Sequence, residues 1–220
     1  LEVAALFLQS HYKEVFGGLA ALLIIVLVMQ YVGSKRNSAS EESMAGFITA
    51  SEIFDQAMNA AASNQAEQAF QALDAAYSMS MQTWNNNPQS DWARKSAVLA
   101  AKIDIIRGSY DAAISTLSAV LATNPNESIR VPALLHMGIV LENRGSEQDK
   151  ANAVSSYLEL IELTENNEAV EAQAYLGLSR VYFAQEKYTE SEIALTSALE
   201  ISADTTEFEA YQIERLAAVN

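Results

Sequence analysis

GSYDAAISTLSAVLATNP, residues 108–125, reads as a turn followed by one tightly packed helix. Gly108 supplies the turn, because glycine reaches backbone angles that other residues avoid. Ala113 is small enough to let the new helix approach its predecessor, and Leu117, about one helical turn on, fills the space beside it. Asn124-Pro125 ends the helix, since asparagine favours turns and proline cannot continue the hydrogen-bond ladder.

Two later blocks align with this one. The first contains Gly138, Gly145, Ala153, Tyr157 and Leu160, and the second Tyr182, Tyr188, Ser191, Leu195 and Ala198. A turn near Gly145 or Glu186 separates two helices in each. The small residues Ala113, Ala153 and Ser191 are spaced by 40 and then 38 positions, with extra residues around Ser146 to Lys150. The last block lacks a turn glycine, carries serine for alanine and ends without proline. Upstream, Phe47, Ala50, Ile53, Phe54, Ala57 and Met58 recur three and four apart over 44–62, as one apolar helix face requires. Ser63-Asn64 breaks that helix, and 65–82 continues with Ala69, Phe70, Leu73, Ala76 and Tyr77. Asn85-Asn86-Asn87-Pro88 is a further stop, with Ser90 or Asp91 placed to cap the next helix. Trp84 and Trp92 bracket this stop; packing between the first hairpin and the next is their expected role, and a grip on a partner the alternative.

These blocks resemble the tetratricopeptide repeat, a helical hairpin of about 34 residues. The resemblance covers roughly 94–204 and is clearest over Gly108 to Pro125. It implies an all-α solenoid with a divergent first hairpin over 44–90, three repeats over 91–205 and a capping helix over 206–220. It also implies that the first helix of each unit lines a concave binding surface. The repeat's inward positions fall here on Lys95, Val98, Lys102 and Ile105, on Leu135, Ile139, Glu142 and Asn143, and on Gln173, Leu176, Arg180 and Phe183. Lysine and arginine among them would suit an extended segment that carries a carboxylate and apolar side chains. The alternative is a register off by one in degenerate repeats, with the basic residues there by accident.

Working back to the start of the chain, VFGGLAALLIIVLVMQYV at 15–32 is an almost unbroken apolar run. At about 1.5 Å per helical residue it spans roughly 27 Å, close to the hydrocarbon thickness of a bilayer. Val15, Gly17, Gly18, Leu23, Val28 and Tyr31 belong to this predicted transmembrane helix, and Gln30 is its strongly polar residue. Residues 1–14 form a helix-prone flank, and 33–43 a Ser-rich connector expected as a short linker or a frayed helical continuation. A cleaved signal peptide is the competing reading, with Ser38-Ala39-Ser40 as its site. A signal core runs only about 7–15 residues, however, and Lys35 and Arg36 intervene. The chain opens on Leu1 rather than methionine, so further N-terminal sequence is expected.

A single span followed by degenerate repeats resembles the membrane-anchored ancillary subunit family of the SecYEG translocon. The comparable residues are Phe7, Lys13, Gly17, Gly18, Tyr31 and the 34–50 connector. The resemblance implies an inner-membrane, single-pass protein whose periplasmic repeats work with translocating chains and chaperones. Charge counting points the other way, since Lys13 precedes the span and Lys35 and Arg36 follow it. The periplasmic orientation is the expectation adopted.

Composition narrows the chemistry. The net charge is −15, and from Asn37 onward 26 acidic residues face 10 basic ones. Such a field repels nucleic acid and anionic lipid heads. With no cysteine, thiolate, disulfide and Cys-zinc chemistry are excluded, and the remote His11 and His136 make no zinc site. Phosphate-loop and nucleophile-elbow strings are absent. Glu159/Glu162 and Glu190/Glu192 read as solvated helix-face acids rather than catalytic pairs. The chain is therefore expected to be no enzyme, with no cofactor, metal or small-molecule substrate. Its expected partners are proteins of a membrane complex, plus the bilayer through the span. Two functions remain open: a scaffold that recruits proteins at an envelope complex such as the translocon, or a structural accessory subunit held by its span and lateral contacts.

Overall fold

The computed structural model describes residues 30, 35, 38–164 and 167–202. Among the described residues the chain is helical throughout, without a strand. The helices are α1 (38–62), α2 (Ala66–Asn86), α3 (Asp91–Ile106), α4 (Tyr110–Leu121), α5 (Glu127–Arg144), α6 (Glu147–Leu163), α7 (Glu168–Ala184) and α8 (Tyr188–Ser202). The chain divides into two units, Leu1–Glu42 and Ser43–Asn220, and the packing described below lies in the second. The predicted span at 15–32, the flank at 1–14 and the capping helix at 206–220 lie outside the described residues. No helix among the described residues is long and apolar enough to cross a membrane.

Helices pack as consecutive pairs, and α3 also packs on α5 and α5 on α7. The first helices of successive hairpins are thus neighbours, which is the repeat-like solenoid arrangement that the sequence blocks predict. Phe54 of α1 shares a buried cluster with Leu73 and Ala76 of α2 and Ile103 of α3, so the first hairpin joins the same stack.

Turn chemistry explains why these helices fold back. Asn64, Gly108, Gly145 and Glu186 all have positive φ, between 57° and 76°, one in each hairpin turn. The amides of Gln65, Ser109 and Lys187 then donate to the carbonyls of Ala60, Asp104 and Tyr182 at 2.8–2.9 Å. That six-to-one bond satisfies carbonyls left over at a helix end. The 38–86 hairpin, which lacks a turn glycine, is closed by the same device as the hairpins at Gly108 and Glu186.

Three boundaries add detail to the sequence reading. Within the 33–43 connector, the described residues 35 and 38–43 are helical. Ser90 holds the N-cap position of α3, yet its side chain makes no cap bond and its buried Oγ has no partner. The residues read as an insertion at Ser146 to Lys150 are a helix start. Ser146 Oγ accepts from the Asp149 amide at 3.1 Å, and Asp149 Oδ2 accepts from the Ser146 amide at 3.2 Å. This reciprocal pair is a capping box.

Ala113, Ala153 and Ser191 are buried in the core, and Leu117 and Tyr157, four positions beyond the first two, are fully buried. Tyr157 is wedged against two glycines. A Cβ at Gly138 of α5 or Gly177 of α7 would lie 2.4 or 2.3 Å from its ring. The Tyr157 hydroxyl donates to Glu142 Oε2 at 3.0 Å, and Arg180 donates to both oxygens of that carboxylate.

Candidate functional site

The inward positions of α3 come together with α1 and α5. Lys95, Val98, Leu99 and Lys102 form one wall of a cavity of about 350 Å³. Phe47 and Ser51 of α1 form the second wall, and Ser128, Ile129, Pro132 and His136 of α5 the third. The residues of α3 and α5 recur at three, four and seven, and the two of α1 are four apart, so each helix presents a single stripe to the cavity.

Two aromatic rings fix the cations at its edge. The Lys95 ammonium lies 4.6 Å from the centre of the Trp92 ring, and the Lys102 ammonium 4.7 Å from that of Phe54. The Trp92 ring in turn packs on Phe47, with centres 5.7 Å apart. Ammonium groups are attracted to the negative face of such rings. None of the residues lining the cavity carries a carboxylate, and neither lysine forms an ion pair among the described residues. Half-buried His136 has its pKa pushed down to about 4, first by burial and then by the Lys102 charge. It is therefore a neutral imidazole near pH 7.

Pro132 lies inside α5. Proline has no amide hydrogen, so the Ser128 carbonyl, one helical turn earlier, loses the donor that a regular helix would provide. Both residues line this cavity and also a second one, shared with Leu163, Thr164 and Asn167. The wall thus carries two ammonium groups in an otherwise largely apolar setting.

The remaining predicted groove residues do not join this cavity. Ile105 and Leu135 pack half-buried against the main core, Ile139 is half-buried, and Asn143 and Gln173 are exposed. Leu176 is buried in the cluster between α7 and α8. Phe183 is exposed and meets the Tyr188 ring edge-on, with centres 5.6 Å apart. Arg180 is engaged by Glu142; burial is the largest single influence and opposes its charge, but the hydrogen bonds and charge of Glu142, joined by Tyr157, together raise its pKa. Its cation is answered inside the fold, which leaves Lys95 and Lys102 as the pair that shares a site.

Sequence reasoning missed Phe47, Ser51, Leu99, Ser128, Ile129, Pro132 and His136 as lining residues. A proline in the middle of an apolar helical pattern was the available signal. Trp84 packs against the main core, and Trp92 packs on Phe47. Glu159 accepts from Arg130 at 2.8 Å, while Glu162, Glu190 and Glu192 are exposed.

Two buried acids lie elsewhere. Burial raises the pKa of Asp104, against the opposing effects of Arg107 and a hydrogen bond from Tyr77. Asp149 is held well below the usual carboxylate range, chiefly by Arg144 and then by Ser146. Among the described residues no three His, Asp or Glu side chains converge as metal ligands. No protein-family model matches the chain, and no curated protein matches it.

Proposed function

We propose that the chain is a non-enzymatic scaffold, anchored in an inner membrane by 15–32, whose periplasmic repeat domain binds proteins of an envelope membrane complex. The translocon is the complex to test first. One observation carries the reading. The first helices of neighbouring hairpins meet at a cavity whose charged lining residues are two lysines without an ion pair among the described residues, in a chain of net charge −15. Stacked helical hairpins bind partners through such a shared face. The apolar run supports the anchor, and the architectural resemblance supports the orientation and the translocon.

The structural-subunit reading has its own support in apolar side chains outside the cavity lining. Phe70 of α2, and Tyr188 and Ile193 of α8, are each at least 60% exposed, a pattern that suits lateral contacts. Two variants separate the readings by co-purification of the complex from native membranes. Lys95→Glu combined with Lys102→Glu abolishes recruitment by a scaffold but leaves a structural subunit incorporated. A foreign span in place of 15–32 does the reverse. A complex unchanged by both variants defeats the scaffold and the structural subunit together.

A further inference from the structure

We propose that the contact between Tyr77 of α2 and the buried carboxylate of Asp104 in α3 is a proton-operated latch, which holds the first hairpin on the stack more firmly when Asp104 is protonated than when it is ionised. Such a latch acts at the joint between hairpins, whatever the repeat domain binds.

Asp104 is 4% exposed. Tyr77 donates a hydrogen bond to its carboxylate, but Oδ2 has no partner. An ionised carboxylate accepts at both oxygens, so burying one of them unpaired strips away water that nothing replaces. A proton cancels the charge and leaves a neutral group, which is far less costly to bury. The second oxygen still accepts from Tyr77 in that state, so protonation keeps the tie between α2 and α3.

Neighbouring charges do not make up the deficit. Arg107, the C-cap of α3, favours the ionised form, but its guanidinium lies 5.0 Å from the centre of the Tyr77 ring and pairs with Asp74 of α2. Burial outweighs Arg107 and the Tyr77 bond together, and the pKa of Asp104 is raised above the ordinary 3.8. The other ionisable groups on the helices packed against α3 are engaged or exposed. Asp111 of α4 pairs with Arg144, and the Tyr110 ring packs against the main core. On α5, Arg130 pairs with Glu159, Arg144 also with Asp149, and Glu142 with Arg180, while His136 lines the α1–α3–α5 cavity. Glu52 and Asp55 of α1 are exposed.

Position gives the proton its effect. Ile103, next to Asp104, belongs to the smaller buried cluster through which Phe54 of α1 and Leu73 and Ala76 of α2 hold α3. Ser80, on the buried stripe of α2, has an Oγ that is likewise without a partner. A joint with a small core and orphaned polar atoms opens at low free energy, so one charge moves its equilibrium measurably. When the hairpin opens, Asp104 regains water and its ordinary pKa. As pH falls through the raised value toward 3.8, the closed form therefore holds a proton that the open form releases, and closure gains. Well above that window closure does not respond to this group. His136 acts in the opposite sense, because its lowered pKa makes acid unfavourable to the fold around it.

The test is hydrogen exchange of the full chain in a nonionic detergent at pH 7.5, 6.0 and 4.5, read by mass spectrometry and corrected for the intrinsic amide rate at each pH. Protection of α2 amides is expected to rise at least about threefold from pH 7.5 to 4.5, the effect of roughly half a pKa unit. Asp104→Asn keeps the shape without the charge, so α2 is already better protected than wild type at pH 7.5 and the rise is lost. Tyr77→Phe removes a bond that favours the ionised form, so the rise begins at higher pH. A tyrosine with only a packing role would instead lower protection equally at every pH. A wild-type profile that is flat or falls, a rise that survives in Asp104→Asn, or a Tyr77→Phe profile lowered in parallel overturns the latch. If Asp104→Asn does not fold, the wild-type and Tyr77→Phe profiles decide by the same outcomes.

Discussion

A methyl group at Gly138 would sit 2.4 Å from the Tyr157 ring, and one at Gly177 2.3 Å. The obstacle is a fully buried ring whose hydroxyl is tied to Glu142, so it has no free space into which to swing. Gly138→Ala and Gly177→Ala are each expected to lower the unfolding free energy by about 1–3 kcal/mol in urea titrations, the usual cost of an overpacked core. Tyr157→Phe keeps the ring and leaves Glu142 bonded to Arg180, so its loss is expected to be about 1 kcal/mol. Wild-type stability in Gly177→Ala is the outcome that would rule out the wedge. His136 makes a prediction in pH. Its pKa is about 4 in the fold against an ordinary 6.5, so below pH 6.5 the unfolded chain takes up a proton that the folded one refuses. Stability therefore falls as pH drops from 6.5 toward 4 and this contribution levels off below that, amounting to at most about 3 kcal/mol. In His136→Gln that part of the slope disappears, which paired denaturation curves at pH 7 and pH 4.5 would reveal. Gly138 was visible in the sequence as a repeat position. Gly177 was not, because nothing local marks a glycine that makes room for a ring from another helix.

Helix ends show the same division between local and distant causes. The stops at Ser63-Asn64, Gly108 and Asn87-Pro88 were legible because turn residues act on their own backbone. The Glu186 turn was placed correctly, although nothing in a glutamate shows that it holds φ at 61°. That angle crowds the Cβ of any L-residue and costs roughly 1–2 kcal/mol outside glycine. Glu186→Gly is therefore expected to raise stability by about 0.5–1 kcal/mol, net of the extra chain entropy that glycine brings to the unfolded state. The same change at Asn64, φ 57°, should gain less, since asparagine tolerates this conformation. Thermal melts of the two variants test the order. A Glu186→Gly melt at or below wild type would show that its neighbours, not the six-to-one hydrogen bond, set the turn. The candidate site divides in the same way. Lys95 and Lys102 were legible as one stripe of one helix, whereas the loss of Arg180 to Glu142 depends on how two separate helices pack.

At the scale of the whole solenoid, the apolar spacing of three and four was enough to assign hairpins, because each helix needs only its own face to be recognised. How strongly each hairpin is coupled to the next depends on which faces meet. Ala97, Ala113, Ile129, Tyr157, Leu178 and Ala194 belong to one continuous buried cluster that reaches from α3 to α8. Phe54, Ala57, Leu73, Ala76 and Ile103 form a separate and smaller one, through which α1 and α2 hold α3. In a stack stabilised by nearest-neighbour interfaces, the hairpin with the smaller shared core opens at the lower free energy. Arg107, the C-cap of α3, adds an ion pair with Asp74 of α2, but that carboxylate is 78% exposed and such a pair contributes little. Hydrogen exchange followed by mass spectrometry should therefore find amides of 44–86 exchanging ahead of those in α5 and α6, with opening free energies lower by roughly 2 kcal/mol. Leu73→Ala should widen the gap without changing protection of α6, because it enlarges a cavity confined to the smaller cluster. If 44–86 and α6 instead exchange together in both proteins, the two clusters behave as one cooperative core and the first hairpin is no separable unit.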